Sequence, residues 1–286
     1  MTAIVLALVA SLCFGAGLVL TQLGLRYVAP LNGAAISIPS SLALLICVAP
    51  VALAGDAVHW NAVPIFAAVG LLYPGAATLL TFAANRALGP VITGALGNLA
   101  PVFAVALAFI MLGEPLRPAQ VAGLLVIVTG VAMLTVGRGA TAGSWRSWYL
   151  LLPLLAAAIR GFIQPLIKLG LELWPSPFAA SLTSYAVSSA IVITAAKVGT
   201  GRWLAHAPRR GIAWFIGVGV CNGLAVLLMY AALAQGSVTL VSPLVATHPL
   251  VTVAGSMLLL GRRDGGARLA LAVAISVAGV VLLLAG

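Results

Sequence analysis

The sequence predicts an all-α integral membrane fold: ten transmembrane helices in two inverted five-helix repeats. Three observations carry that prediction. The 286 residues are 63% hydrophobic and only 6% charged, they divide into apolar runs of membrane-crossing length, and the second half repeats the first at a nearly constant shift. A soluble domain carries about 25% charged residues and needs them for its water-facing shell. With so few here, lipid has to be the solvent for most side chains. About 20 apolar residues cross a hydrocarbon layer about 30 Å thick as a helix, because each residue rises about 1.5 Å.

The runs are separated by polar or Pro/Gly breaks. The first, 3–25, has no basic residue before it and is too long for the apolar core of a secretion signal, so it counts as a span. The second and third, 31–54 and 62–85, hold Pro39, Tyr73 and Pro74. The fourth, 90–112, carries Asn98 three residues before Pro101, and the fifth covers 117–136. The sixth, 148–173, contains Arg160, Gln164, Lys168 and Glu172. The seventh, 177–198, holds Tyr185, and the eighth, 211–235, holds Gly219, Asn222, Gly223 and Tyr230. The ninth, 238–260, carries Pro243 and the pair His248-Pro249, and the tenth covers 267–285. Stretches such as Leu124-Leu125-Val126-Ile127-Val128 do not alternate polar with apolar, which argues against a β-barrel. All six tryptophans, Trp60, Trp145, Trp148, Trp174, Trp203 and Trp214, fall at run ends or in loops, where an amphipathic ring suits the headgroup zone.

Shifting by 148 places Phe82-Ala83-Ala84 on Tyr230-Ala231-Ala232, Gly75 on Gly223, Pro101 on Pro249 and Leu112-Gly113 on Leu260-Gly261. Shifting by 146 places Ala10, Gly15 and Leu23-Gly24-Leu25 on Ala156, Gly161 and Leu169-Gly170-Leu171. Five spans per half is an odd number, so the second copy enters from the opposite side and the halves are inverted about an axis in the membrane plane. The expected division is residues 1–137, a linker at 138–147, and residues 148–286.

These features resemble the EamA-type members of the drug/metabolite transporter (DMT) superfamily over nearly the whole chain. The resemblance is carried by an aromatic-Ala-Ala opening, a proline and a small-residue ending. They are seen as Phe82 through Leu112-Gly113-Glu114-Pro115 and again as Tyr230 through Leu260-Gly261-Arg262, where Arg262 departs from the glutamate of the first half. In overall layout the chain is most similar to the YddG-type exporters of amino acids. The resemblance implies a secondary transporter of amino acids or similar small polar metabolites, an exporter working by alternating access. It also implies a multi-pass location in a bacterial-type inner membrane.

In an inverted-repeat carrier the cargo sits near the midplane, where polar groups are expensive unless they bind something or pair locally. Arginine at the centre of a membrane helix costs about 2.5 to 3.5 kcal/mol on an insertion scale, so Arg160 should face a cavity or a polar partner. Arg160, Gln164, Lys168 and Glu172 recur every four residues and follow one side of a helix, as a wetted wall or as a structural stripe. His248 is the only histidine within an apolar run and could line the cavity or gate protons. Asn98 in the matching fourth run is a comparable polar group. Tyr73 and Tyr230, on repeat-related runs, can pack on a carbon skeleton while binding its polar end, and Asn222, beside Gly223, completes the set. The expected substrate-binding residues are therefore Tyr73, Asn98, Arg160, Gln164, Asn222, Tyr230 and His248. Gly219 and Gly223 read more simply as close-packing residues.

Cys13, Cys47 and Cys221 lack CxxC spacing, and His59, His206 and His248 lack metal-ligand spacing, so no cofactor, metal or catalytic residue is expected. An enzyme would need clustered acids or a nucleophile with a base; a channel or structural membrane subunit is the competing class. The net charge of +10 is spread through short loops without a nucleic-acid motif, leaving a small molecule and the lipid bilayer as partners, with a monomer as the working expectation. With ten spans, the side of the termini receives Arg117 and Lys168 and the other side eleven Lys and Arg. The positive-inside rule then puts both termini outside the cytoplasm, opposite to what the YddG resemblance implies.

Overall fold

The computed structural model describes residues 1–135, 147–200, 208–260 and 266–285, and every regular element among them is helical. In chain order these are α1 (Thr2–Gly24), α2 (Pro30–Ala52), α3 (Val63–Gly70), α4 (Ala77–Gly97), α5 (Ala100–Leu112) and α6 (Pro118–Thr135). There follow α7 (Leu151–Leu173), α8 (Pro177–Thr200), α9 (Arg209–Gln235), α10 (Val238–Val245), α11 (His248–Leu260) and α12 (Gly266–Ala285). Leu71–Ala76, joining α3 to α4, is π-helical. Helices α2, α6 and α8 begin on Pro30, Pro118 and Pro177, where the missing N–H is one the helix leaves unpaired anyway. Gly113 ends α5 at φ 63°, a left-handed turn that a side chain resists. The expected linker 138–147, except Ser147, lies outside the described residues, as do Arg262 and His206.

Seven helical stretches are long and apolar enough to cross a membrane, and Ala100–Leu112, Pro118–Met133 and Leu271–Ala285 are shorter apolar helices. The fourth and ninth expected runs are each interrupted. Backbone helicity continues from α4 through Gly89 and Pro90 and breaks at Asn98 and Leu99, and the ninth run breaks at Ala246 and Thr247, 148 residues further on. The proline two residues after each break explains it, because Pro101 and Pro249 cannot donate to a carbonyl one turn back and so favour a fresh helix start.

Helix α1 packs along α9 and α11, while α7 packs along α4 and α5; α2 lies against α8 and α9, and α6 against α12. Glycines set the closest approaches. A Cβ on Gly161 would lie 2.5 Å from Cβ of Phe103 and 2.8 Å from the Ala100 carbonyl. A Cβ on Gly15 would run into Val251 and lie 2.9 Å from the His248 carbonyl, the same neighbours moved on by 148. Likewise Gly219 meets the Ser37 carbonyl and Gly223 the Ser41 side chain, so these two seat α9 on α2.

Pro74 removes the N–H that would have bonded to the Gly70 carbonyl, and Tyr73 leaves helical geometry at φ −143° and ψ 134°. From α8, Ser188 Oγ donates to that Gly70 carbonyl at 2.6 Å and Ser184 Oγ to Phe66 O at 3.0 Å. Ser41 on α2 similarly donates to Gly219 O at 2.7 Å. In lipid a freed carbonyl needs such a neighbour, because no water is at hand.

Candidate functional site

Arg160 sits midway along the 26-residue span Trp148–Leu173. Its Nε is buried without a hydrogen-bond partner, and its guanidinium lies against Gly97, where a Cβ would stand 3.0 Å from Nη2. Gly97 is the last residue of α4, so the charge meets the break at Asn98, whose Nδ2 is likewise buried and unpartnered. One turn along α7, Gln164 is buried and turns its Nε2 towards the Arg160 carbonyl at 3.4 Å, leaving Oε1 without a partner. Tyr73, in the kinked π segment, and His248, at the start of α11, lie within electrostatic reach of Arg160. His248 Nδ1 is 3.0 Å from the Val245 carbonyl, and its ring is 6.0 Å from that of Phe14.

Four of the other six expected residues, Tyr73, Asn98, Gln164 and His248, thus lie near Arg160. Tyr230 is fully buried with an unpartnered hydroxyl and within electrostatic reach of Tyr73 and Tyr185, one layer removed from the arginine. Asn222 stands apart on the seam between α1 and α9, its Oδ1 so close to Gly17 that a Cβ there would lie at 2.5 Å. Counting residues along the eighth run cannot distinguish these two faces of α9, because Asn222 and Tyr230 are eight residues apart, a little over two turns.

The polar stripe on the sixth run divides in two. Lys168 turns away from the centre and pairs with Glu114 Oε1 at 2.9 Å while donating to the Gly236 carbonyl at 2.8 Å. Glu114 in turn accepts from the Val238 and Thr239 amides at 2.8 and 2.9 Å, closing the N-terminus of α10. Burial alone would push the Glu114 carboxyl up, but the Thr239 amide, the Lys168 ammonium and the Val238 amide outweigh it and hold it below the usual carboxylate range. Glu172 is exposed at the end of α7, and Asp56 accepts from Trp174 Nε1 at 3.1 Å just beyond it. Three acids therefore collect at the C-terminal end of α7, and Lys168–Glu114 is the ion pair among the described residues. Sequence reading overlooked this bridge, and also Ser188, although the carbonyl freed by Pro74 was a signal that a donor had to be nearby.

The arrangement is a cluster of polar side chains inside a multi-pass membrane protein, with a cation beside the break of a helix. The chain matches the EamA-like transporter family twice, over residues 1–136 and over residues 146–285, and it belongs to that family. It is accordingly a membrane transporter of the drug/metabolite type. A solved structure described as "Crystal structure of protein" is similar at a TM-score of 0.81 and 19% identity, covering 98% of this chain and 95% of that one. At that identity the likeness concerns the fold. No curated protein matches the chain significantly.

Proposed function

We propose that the chain is a secondary transporter of ten spans in two inverted repeats. It moves amino acids or similar small polar metabolites outward across a bacterial-type inner membrane by alternating access. The carrying observation is Arg160: a buried mid-span cation whose Nε has no partner, flanked by Asn98, Gln164, Tyr73 and His248. A charge so expensive to bury is retained where a cargo of opposite charge completes it. The paired breaks at Asn98 and Ala246, and the matching seats of Gly15 and Gly161, support the repeat reading and give the halves shared hinge points. The YddG-type amino acid exporters are the branch whose layout fits best.

Radiolabel counterflow in reconstituted vesicles, screened over amino acids, sugars and amines, tests the reading. Saturable flux accelerated by unlabelled substrate on the far side is expected; flux that never saturates would instead indicate a channel, and none at all a structural subunit. Replacing Arg160 with methionine should lower carboxylate transport per folded molecule about tenfold or more, the worth of a charge-assisted contact. Equal loss of folded yield and transport would make Arg160 a structural residue.

A further inference from the structure

We infer that the polar cluster around Arg160 is built for an organic monoanion, a carboxylate with no ammonium beside it, in preference to a zwitterion or a cation. This rests on the transporter reading and narrows its cargo, among small polar metabolites, from amino acids to carboxylates without an ammonium. Its first support is the donor set. Arg160 Nε and Asn98 Nδ2 are buried N–H groups without partners, and the guanidinium lies against Gly97, the residue before Asn98. A carboxylate has two oxygens to meet them, and it brings the opposite charge.

The second support is that no acid among the described residues stands free as a counter-charge for an ammonium. Glu114 is occupied by Lys168 and two backbone amides, Asp56 by Trp174, and Glu172 is exposed at the end of α7. Among the described residues no acid pairs with Arg160. The ionisable neighbours within electrostatic reach of the guanidinium are Tyr73, whose hydroxyl is ordinarily neutral, and His248, itself a base. A bound monoanion therefore balances Arg160, whereas a zwitterion leaves one positive charge uncompensated inside the span.

The third support is the acceptor count. Gln164 Oε1, one turn from Arg160, is the buried carbonyl-type acceptor of the cluster that has no donor. It can satisfy a single O–H or N–H, as a 2-hydroxy acid supplies, but an ammonium presents three donors. A hydroxyl group beside the carboxylate fits Gln164 Oε1, whereas an ammonium asks for more acceptors than that side chain supplies.

The test uses the full chain purified in detergent and two skeleton-matched probe sets: 3-phenyllactate, phenylalanine and phenethylamine, and lactate, alanine and ethylamine. Dissociation constants are measured by calorimetry. In at least one set the monoanion should bind roughly tenfold tighter than the zwitterion, as leaving buried donors of a charged group unmet implies, with the amine weakest. Arg160→Lys should keep that order and Arg160→Gln should flatten it. If the glutamine variant does not fold, the wild-type order still decides. Zwitterions bound as tightly as their monoanions in both sets overturn the inference, and so does failure of both monoanions to bind at tens of millimolar. Equal affinities accompanied by saturable flux would remove the charge preference and leave the transporter standing. Ordered affinities without any flux would do the reverse.

Discussion

At the level of single residues, charge was the most legible feature of the sequence. Arg160 announces itself because an arginine in an apolar run has nowhere to hide, and it lies among Tyr73, Asn98, Gln164 and His248. Lys168 was harder to read, since its partner Glu114 is 54 residues away and only the tertiary fold brings them together. Their bridge makes a prediction. Glu114→Gln removes the ion pair and weakens the cap on α10, and should lower stability by about 1 to 3 kcal/mol, seen as a lower thermal midpoint in detergent. Because the folded carboxyl titrates below its unfolded value, its contribution is full above about pH 4.3 and fades as the pH falls through the folded value. Wild type should therefore lose thermal stability on acidification below that point more steeply than the glutamine variant. Parallel pH profiles would show the bridge to be energetically idle.

At the level of elements, most apolar runs located their helices to within a few residues, because span length is dictated by the thickness of the bilayer, but the boundary expected at 85–90 falls inside α4. The interruptions were legible in part, because a proline inside a run frees a carbonyl and invites a kink. Pro101 and Pro249 mark two of the breaks, but proline alone does not say whether a helix will kink, restart or, as at Gly89 and Pro90, carry on. The π form of Leu71–Ala76 was not legible, since its repair comes from α8. Two neighbouring serines isolate that repair. Ser188 donates to the Gly70 carbonyl, whereas the Ser189 hydroxyl is buried without a partner. Ser188→Ala should cost about 1 to 2 kcal/mol by orphaning a carbonyl in lipid, and Ser189→Ala close to nothing. Thermal midpoints of the two variants decide it, and equal losses would mean that the Pro74 kink needs no donor.

For the molecule as a whole, composition alone gave the solvent. What remained out of reach was which expected site residues share a wall, because that depends on how the faces of α7, α9 and α11 turn in the bundle. The distribution of charge still makes a prediction about the whole chain. Lys168, Glu114, Asp56 and Glu172 gather at one end of α7, so the end poor in basic residues is also the acidic one. Acids contribute little to the positive-inside rule, so the expectation that both termini lie outside the cytoplasm rests on the Lys and Arg count alone. A C-terminal fluorescent protein that matures only in the cytoplasm should stay dark and an alkaline phosphatase fusion should be active. The opposite pattern reverses the orientation without touching the transport reading.

The bridge over α10 also bears on ancestry. At the positions related by the two shifts, the first half has Gln22 where the second has Lys168, and Pro90 where it has Val238, while the second half has Arg262 in place of Glu114. Two first halves brought together would present carboxylates to a glutamine and to a proline with no N–H to offer. On the proposed repeat, the bridge therefore needs one copy of each half, and a first half made alone as a homodimer should be degraded by the cell.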